Sequence, residues 1–353
     1  MSLFENKRVL VTGGTGSLGK LLVGRLLRGE LGTPSKVIVF SRDEAKQHFM
    51  RLEYHHKQAA TDELIYHNFE RVLEFRIGDV RDYGSVVSAM RDVDVIINVA
   101  GMKQVPTCEY FPYEAVRTNI DGAEHIVRGI REFRLPVKTV VGVSTDKACK
   151  PVNVMGMTKA VQERIFVQGN MRAPGTRFVC VRYGNVLASR GSVIPLFHEQ
   201  IRKGGPVTIT TPEMTRFLLS LDDAVSTVFA AVASAKSGET YVPRAPAARI
   251  IDVATALIGS RDIEQKIIGI RPGEKIHEIM VSEDEAPRTV ERGGWYAIQP
   301  MLPEIGSENG SGCLSREFSS ADNIMSPFET AELLRRHDLM IDDNLVPEGE
   351  VLR

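Results

Sequence analysis

Short apolar runs alternate with amphipathic segments along the first half of the chain. In the intervening segments, such as GKLLVGRLLRGE and GAEHIVRGIREF, the apolar residues recur three or four positions apart, as they do in helices. Six runs have the length and character of buried strands: 8–13, 36–40, 72–80, 93–101, 138–145 and 177–186. Strands that are apolar on both faces and alternate with helices predict a parallel sheet covered by helices on each side.

The pattern becomes less regular after residue 186, where we predict a smaller lobe of mixed helices and strands. Two helical patterns and one short strand, PVTIT, lie between 192 and 238, and Gly238 is expected to end the second helix. A Ser/Gly-rich stretch at 304–315 predicts a loop. We therefore predict an α/β protein with three parts. They are a Rossmann-like, doubly wound parallel sheet in 1–186, a C-terminal α/β lobe in 187–300 with some chain returning to the sheet, and a loop with a tail helix in 301–353.

Composition narrows the class of protein. The 44 basic and 45 acidic residues nearly cancel, so we expect no nucleic-acid binding, although a local basic patch remains possible. The four cysteines are far apart and form no C-x-x-C pair, which predicts neither a metal site nor a disulfide framework. There is no apolar signal segment at the start and no stretch long enough to span a bilayer. These features predict a soluble cytoplasmic protein.

A glycine-rich turn, VLVTGGTGSLGK, lies between the first predicted strand and the first predicted helix. Glycine at these positions permits a tight turn and lets a pyrophosphate approach the backbone at the helix N-terminus. An ordinary strand-to-helix turn is the alternative, but the position within an alternating strand–helix chain favours a dinucleotide site. The predicted contact residues of the turn are Gly13, Thr15, Gly16, Ser17, Leu18 and Gly19.

The end of the second predicted strand bears on the choice of cofactor. Ser41 and Arg42 stand where an acidic residue usually binds the ribose 2′-hydroxyl of NAD, and Lys46 follows one helical turn later. An arginine fork suits a 2′-phosphate, so the sequence predicts NADP. In the alternative, Arg42 is a solvated charge and Asp43 binds the ribose. Three residues at the ends of later strands are predicted to line the cofactor: Asp79, Val80 and Ala100.

Several motifs together support a family resemblance. TGGTGSLG, NVAGMKQVP, STDKA and MGMTK resemble the extended short-chain dehydrogenase/reductase superfamily. RYGNVLASRGSVIPLF, MTRFLLSLDDA and RPGEKIHEIMVSEDEA resemble its bacterial UDP-N-acetylglucosamine 4,6-dehydratases of polysaccharide synthesis, of the short soluble type. The resemblance covers about 7–300. It implies a tightly held NADP, a UDP-sugar substrate and a homo-oligomer, at least a dimer, in which the helices of 109–133 form the contact.

The resemblance also implies a set of substrate-binding residues. Diphosphates favour arginine forks and amide donors, and a ribose favours a carboxylate, so the residue types agree with this role. Arg271 and Glu274 have a second interpretation as the capped start of a helix, and Lys103 as an exposed loop lysine. The implied UDP-binding residues are Asn185, Arg190, Ser192, Arg216, Arg271 and Glu274, with Lys103 on the sugar side.

The helix that carries Lys159 departs from the superfamily pattern, because Met155 stands where a tyrosine usually exchanges a proton. The resemblance implies that Lys159 binds the nicotinamide ribose and that proton transfer moves to the end of the fifth strand. There Asp146 would be the acid for the C6 hydroxyl and Lys147 the base for the C5 hydrogen. The C4-hydroxyl proton would go to Lys147, Asp146 or a water near Thr145. A surface ion pair on a loop is the alternative.

The predicted reaction converts UDP-N-acetylglucosamine to a UDP-4-keto-6-deoxy-N-acetylhexosamine, and inversion at C5 is possible. One alternative is a UDP-sugar 4-epimerase, which shares the fold and cofactor but depends more on the tyrosine. Another is a non-catalytic NADP-binding sensor or scaffold, which Met155 favours and the Asp146–Lys147 pair opposes.

Overall fold

The structure is a computed structural model that describes residues 2–60, 71–187, 192–306 and 312–341. Strands in these ranges are short and mostly buried, and are numbered here along the chain. They are β1 (Arg8–Thr12), β2 (Lys36–Ser41), β3 (Leu73–Ile77), β4 (Val95–Asn98), β5 (Thr139–Val143), β6 (Arg177–Val181), β7 (Asn185–Val186), β8 (Val207–Ile209), β9 (Thr215–Leu219), β10 (Thr240–Pro243), β11 (Ala247–Arg249), β12 (Gln265–Ile267), β13 (Ile279–Val281), β14 (Thr289–Arg292), β15 (Trp295–Ile298) and β16 (Phe318–Ser319).

The helices lie between the strands and are also numbered along the described chain. They are α1 (Ser17–Leu27), α2 (Glu44–Ala60), α3 (Tyr83–Met90), α4 (Val105–Tyr110), α5 (Pro112–Ala115), α6 (Gly122–Phe133), α7 (Val154–Arg172), α8 (Val193–Arg202), α9 (Leu221–Ser234), α10 (Ile250–Ile258) and α11 (Pro327–Arg336). A π-helical turn (Val116–Asp121) joins α5 to α6. Three 3-10 turns occur at Asp146–Ala148, Ala286–Arg288 and Pro303–Ile305.

A nine-stranded sheet forms the centre of the fold, in the order β14-β15-β10-β6-β5-β4-β1-β2-β3. The seven strands from β10 to β3 are parallel, whereas β14 and β15 run antiparallel at one edge. The predicted doubly wound parallel sheet is therefore confirmed. The chain reverses direction across the sheet between β1 and β4, and ligands of such sheets bind beside the carboxyl ends of the strands at this point.

The sheet belongs to a compact unit built from 2–184, 221–245 and 279–319. Helices α3, α6 and α7 pack on one face through a continuous apolar cluster. Gly142 lets α7 lie directly on β5, because a Cβ there would overlap the ring of Phe166. Helices α1 and α9 contact each other, and α9 also lies against β5 and β6. All residues of β4 and β5 are buried, as expected for parallel strands covered on both faces.

The second compact unit is built from 185–220, 246–278 and 320–341. It contains a three-stranded sheet, β11-β9-β7, and the parallel pair β12-β8. Helices α8, α10 and α11 enclose an apolar core around Phe197 and Leu257. The domain bounds at 186 and 300 stay a prediction.

Within the described ranges, no helix has the length and apolar character needed to cross a membrane. The same ranges hold no group of three His, Cys, Asp or Glu side chains arranged to bind a metal ion.

Candidate active site

The glycine-rich turn after β1 has the geometry of a phosphate cradle. Gly13 has a φ of +65°, and a Cβ there would lie 2.9 Å from the backbone of Ala100. A Cβ on Gly19 would lie 2.5 Å from the carbonyl oxygen of Gly13, so only glycine lets the turn and α1 approach this closely. Gly16 is the N-cap of α1, and without a side chain it leaves the first N–H groups to an anionic ligand. These residues fit a dinucleotide pyrophosphate.

The other predicted residues of this turn lie beside the cradle. Thr15 is buried within it, and Ser17 and Leu18 are the first residues of α1. The backbone N–H of Ala100 donates to the Thr12 hydroxyl at 3.2 Å, which fixes the loop after β4 against β1. Val80 is buried, and its carbonyl oxygen lies 2.9 Å from Nδ1 of His125. The structure thus brings the ends of β1, β3 and β4 to one edge of the sheet.

The two basic residues predicted to select NADP are exposed and paired with carboxylates. Arg42 Nη1 lies 3.8 Å from Asp79 Oδ2, and Lys46 Nζ lies 2.7 Å from Asp43. Exposed pairs of this kind contribute about 0–1 kcal/mol, so a phosphate could displace them at small cost. Burial opposes ionisation of Asp79, but hydrogen bonds from Arg81 lower its pKa below the ordinary value. Asp79 therefore has a partner other than Arg42, which leaves Arg42 free to turn toward a ligand.

Ser41, the third residue at this end of β2, is held in place by a buried side chain. Gln47 Nε2 donates to the Ser41 hydroxyl at 3.0 Å, to its carbonyl oxygen at 3.0 Å and to Arg76 O at 2.9 Å. The backbone at the tip of β2 is therefore fixed to β3 before any ligand binds.

The predicted catalytic residues at the end of β5 form one hydrogen-bonded group. Thr145 caps the 3-10 turn, and its hydroxyl donates to Asp146 Oδ1 at 2.8 Å. Lys147 Nζ donates to the same oxygen at 3.1 Å, and about a quarter of the Lys147 side chain is exposed. Asp146 is fully buried, and its Oδ2 has no hydrogen-bond partner among the described residues. This arrangement is a buried carboxylate with one unused oxygen next to a partly accessible amine.

Lys159 lies on α7 with its amine turned to the end of β5. Its Nζ donates to Val143 O at 2.6 Å and to Gln162 Oε1 at 2.8 Å, and Gln162 Nε2 donates to Val143 O at 3.1 Å. Burial lowers the pKa of Lys159 to about 8. Gln162 was not among the residues predicted from the sequence, although its place one helical turn after Lys159 was a usable signal.

Met155 is part of an apolar cluster. It is buried at the start of α7 and packs with Cys108 and Ala115, and Met102, Val105 and Val154 border the same cluster. A thioether in these surroundings fills space and exchanges no proton. The position where the superfamily usually has its tyrosine is therefore part of the core here.

A second buried amide, also missed from the sequence, lies in the π-helical turn. Asn119 accepts from Met102 N at 2.8 Å and donates to Met102 O at 3.1 Å and to the Thr158 hydroxyl at 3.0 Å. It therefore ties the loop that carries Lys103 to the helix that carries Lys159. Lys103 is exposed beside this anchor. Asparagine is a poor helix former, so its presence in a helical pattern was the available signal.

The predicted UDP-binding residues that the structure describes lie in the second unit, where Asn185 pairs with Leu218 across β7 and β9. Arg216 is buried on β9, and its guanidinium donates to the carbonyl oxygens of Thr215, Ile276 and Lys275 at 2.7–3.0 Å. Arg216 thereby supports the loop between β12 and β13, and its predicted contact with UDP stays a prediction.

That loop carries Arg271 and Glu274, whose backbones close a turn with an N–O distance of 3.1 Å. The alternative of a helix start at this point is wrong, because the segment forms a turn. Ser192 is the N-cap of α8, and its buried hydroxyl has no hydrogen-bond partner among the described residues. Arg190 lies outside the described residues.

Comparison with known proteins identifies the family. The model of the family described as "Polysaccharide biosynthesis protein" matches residues 9–300. The chain belongs to this family. It is 43% identical over 305 residues to a UDP-glucose 4-epimerase of Rickettsia typhi, covering 85% of this chain and 84% of the relative. It is 42% identical over 310 residues to an inverting UDP-N-acetylglucosamine 4,6-dehydratase of Campylobacter jejuni, covering 87% of each.

A solved structure is also similar throughout. Pen from Bacillus thuringiensis superimposes with a TM-score of 0.84 at 33% identity, covering 96% of this chain and 99% of that one. The resemblance drawn from the motifs is confirmed. This member of the polysaccharide biosynthesis family is an enzyme of the nucleotide-sugar 4,6-dehydratase and 4-epimerase group.

Proposed function

We propose that the protein is an NADP-dependent 4,6-dehydratase acting on UDP-N-acetylglucosamine. The observation that carries the proposal is the group at the end of β5, in which buried Asp146 keeps one oxygen unused beside Lys147. An epimerase exchanges hydride at C4 and needs no acid and base for C5 and C6. A dehydratase needs both an acid and a base, and it needs them beside neighbouring carbons of one sugar.

Each residue of this group has a role in the elimination. When bound, the dinucleotide would supply hydride transfer, from C4 of the sugar and back to C6. Between these events Lys147 removes the C5 proton, which the C4 ketone has made acidic. Asp146, in its protonated form, donates a proton to the C6 hydroxyl, which leaves as water. Once C6 has received the hydride, protonated Lys147 returns a proton to C5. Because Lys147 is ion-paired with Asp146 at 3.1 Å, this pair has to open, or pass a proton across, before Lys147 can act as a base.

The C4-hydroxyl proton needs an acceptor other than Met155, which is buried in its apolar cluster. Thr145 provides the hydroxyl nearest to Asp146, so we assign it to orient the acceptor, which is Asp146, Lys147 or a water molecule. Lys159 holds the nicotinamide ribose, with Gln162 directing its amine. Acceptance of the C4-hydroxyl proton and binding of the nicotinamide ribose can therefore both proceed without a tyrosine.

The cofactor proposal rests on Arg42 and Lys46. Both are exposed and held only by weak ion pairs, and no acidic side chain occupies the position of Ser41. Their combined positive charge suits a 2′-phosphate.

For the substrate, we assign Asn185, Ser192, Arg271 and Glu274 to the UDP group, together with Arg190 of the undescribed segment and Lys103 toward the sugar. Arg216 acts through the loop between β12 and β13, which it fixes by contacts to the carbonyl oxygens of Lys275 and Ile276.

The competing function is UDP-sugar 4-epimerisation, which the name of the Rickettsia relative favours. Incubation with UDP-N-acetylglucosamine in deuterated water, followed by NMR of the products, separates the two. A dehydratase gives a 4-keto-6-deoxy sugar with deuterium at C5, and an epimerase gives a C4 epimer without it. Bound cofactor with no turnover of any UDP-sugar would instead support the sensor.

The roles are tested by Lys147→Met, with Lys138→Met at the opposite end of β5 as the control. We expect Lys147→Met to abolish water elimination and to bind NADP normally, and Lys138→Met to behave as wild type. Asp146→Asn should slow elimination by roughly 10²–10⁴-fold, the range for one positioned acid–base group. Product formation by Lys147→Met at a near wild-type rate would overturn the assignment.

A further inference from the structure

A buried arginine whose N–H donors are all hydrogen-bonded lies near the group of Thr145, Asp146 and Lys147 at the end of β5. Arg182, which follows β6, is 2% exposed, and each of its five N–H donors has an acceptor. It makes two bonds to Glu163 at 2.7 and 3.1 Å, two to Glu285 at 2.8 and 3.0 Å, and one to Met280 O at 2.7 Å. Arg182, Glu163 and Glu285 are called the buried triad below.

The triad joins the segments that carry the proposed catalytic residues. Glu163 lies on α7, one turn after Lys159, and it accepts from the hydroxyl of Ser144 at 2.5 Å. Ser144 immediately precedes Thr145, at the start of the group on β5. On the other side, Glu285 accepts from Ser282 N at 3.1 Å and lies 3.7 Å from the thiol of Cys149, just after the 3-10 turn. Both ends of the 144–149 segment are therefore bonded to the triad.

The electrostatics of the triad point to a role beyond stability. Burial opposes the charge on Glu285, but the adjacent Arg182 guanidinium lowers its pKa to about 2. Burial likewise opposes the charge on Arg182, and Glu163 and Glu285 raise its pKa above the ordinary value. Buried ion groups of this kind are often no more stabilising than apolar residues of the same volume. What they provide is a fixed geometry, because a guanidinium with five satisfied donors has a single orientation.

We propose that Arg182, Glu163 and Glu285 are positioning residues that hold the segment of Thr145, Asp146 and Lys147 at a fixed separation from Lys159. The proposal rests on the proposed function, since these four residues act on substrate and cofactor only in that reaction. The triad acts through Ser144 and Cys149 on one segment and through α7 on the other.

The triad also places a negative charge near Lys159. The ionisable groups that act on the Lys159 amine are Glu163 on its own helix and Cys180 on β6, and the remaining contacts, Val143 O and Gln162, are neutral. Burial lowers the pKa of Lys159, and Cys180 and Glu163 oppose this shift. Loss of the Glu163 charge should therefore lower the pKa of Lys159 further.

The test uses Glu163→Gln and Glu285→Gln, which keep the shape and remove one charge each. The control is Glu124→Gln. Both carboxylate oxygens of Glu124 accept from Arg172, which lies on α7 as Glu163 does, but at a different site. Steady-state kinetics with UDP-N-acetylglucosamine give kcat and KM. NMR of protein labelled with ¹³Cε-lysine, with Lys159→Arg to assign the signal, gives the ionisation midpoint of Lys159. Thermal unfolding gives the stability of each variant.

We expect both triad variants to lose roughly 10–100-fold in kcat with KM changed less than about threefold, because a misplacement near 1 Å has effects of this size. In Glu163→Gln the Lys159 midpoint should fall by about one unit. Glu124→Gln should keep both values. If a triad variant does not fold, Glu285→Asp replaces it; it keeps the charge and shortens the side chain, so kcat should fall while the midpoint stays.

Two results would overturn the proposal. In one, the triad variants keep wild-type kcat and midpoint. In the other, kcat falls in proportion to the loss of stability in the Glu124→Gln control and in the triad variants alike, which would make the triad purely structural. If wild type makes no product at all, the proposed function fails, and the Lys159 midpoint still decides whether the triad acts on this residue.

Discussion

Helix α7 approaches the catalytic segment so closely that position 156 should tolerate only glycine. A Cβ on Gly156 would overlap the carbonyl oxygen of Lys147, well inside 3.0 Å, and would lie 3.1 Å from the Lys147 carbonyl carbon and 3.2 Å from Pro151 Cβ. These are atoms of the backbone and of a rigid ring, so relief requires the whole turn to move by roughly 1 Å. A displacement of this size at a reacting group reduces turnover by about 100-fold. We therefore expect Gly156→Ala to lower kcat by about that factor.

The matched control is Gly24→Ala, a helical glycine of α1 whose added Cβ would meet only the Tyr54 hydroxyl at 3.6 Å. It should keep kcat and gain up to about 1 kcal/mol in the free energy of unfolding, since alanine is the better helix former. Dehydration is followed by product NMR, NADP affinity by fluorescence titration and stability by urea unfolding. A Gly156→Ala enzyme that folds, binds NADP and keeps kcat within about threefold of wild type would refute the reasoning.

Four further outcomes follow from the structure. Arg42→Ala should weaken NADP binding without weakening NAD binding, and an unchanged ratio of the two affinities would exclude a 2′-phosphate contact. Met155→Ala should lower the free energy of unfolding by about 2–5 kcal/mol, whereas Met155→Leu should lower it by less than about 1.5 kcal/mol and keep activity. Complete inactivity of a folded Met155→Leu variant would show that the thioether is needed directly. Folding lowers the pKa of Glu285 from 4.5 to about 2, so the ionised carboxylate contributes about 3 kcal/mol to the free energy of unfolding. This contribution is complete above pH 4.5 and is lost as the pH drops toward 2. Glu285→Gln should therefore flatten this part of the acid-unfolding curve. Light scattering at micromolar concentration should show at least a dimer formed through 109–133, and a monomer would contradict this.

Most of the sheet could be predicted from the sequence because parallel strands are apolar on both faces and are separated by helical periodicity. The three strands beyond β6, which are β10, β15 and β14, could not be found in the same way. β10 is only four residues long and ends in Pro243, and the hairpin of β14 and β15 has partly exposed, polar positions. A usable signal was present in TVERGGWYAI, where Gly293 and Gly294 both have positive φ at the turn. Helix α9 ends at Ser234, four residues before Gly238, which was expected to end it.

The residues of the candidate site, like the strands of the sheet, were predicted from the sequence only in part. The glycine turn and the group at the end of β5 could be predicted because their chemistry is local in sequence. Asn119 and Gln162 left only weak local signals and Arg182 left none, because the partners that define a buried polar side chain are mostly distant in sequence. Arg182, for example, bonds to residues 19 and 103 positions away.

The position of β10 in the sheet has a consequence during synthesis. β6 is bounded on one side by β5, but its other edge is completed only by Thr240 and Tyr241, which leave the ribosome about 60 residues later. At roughly 5–20 residues per second, the nascent chain carries an open, apolar strand edge for several seconds, and such edges favour pairing with other chains. Ribosome-associated chaperones are therefore expected to matter most for this interval of translation.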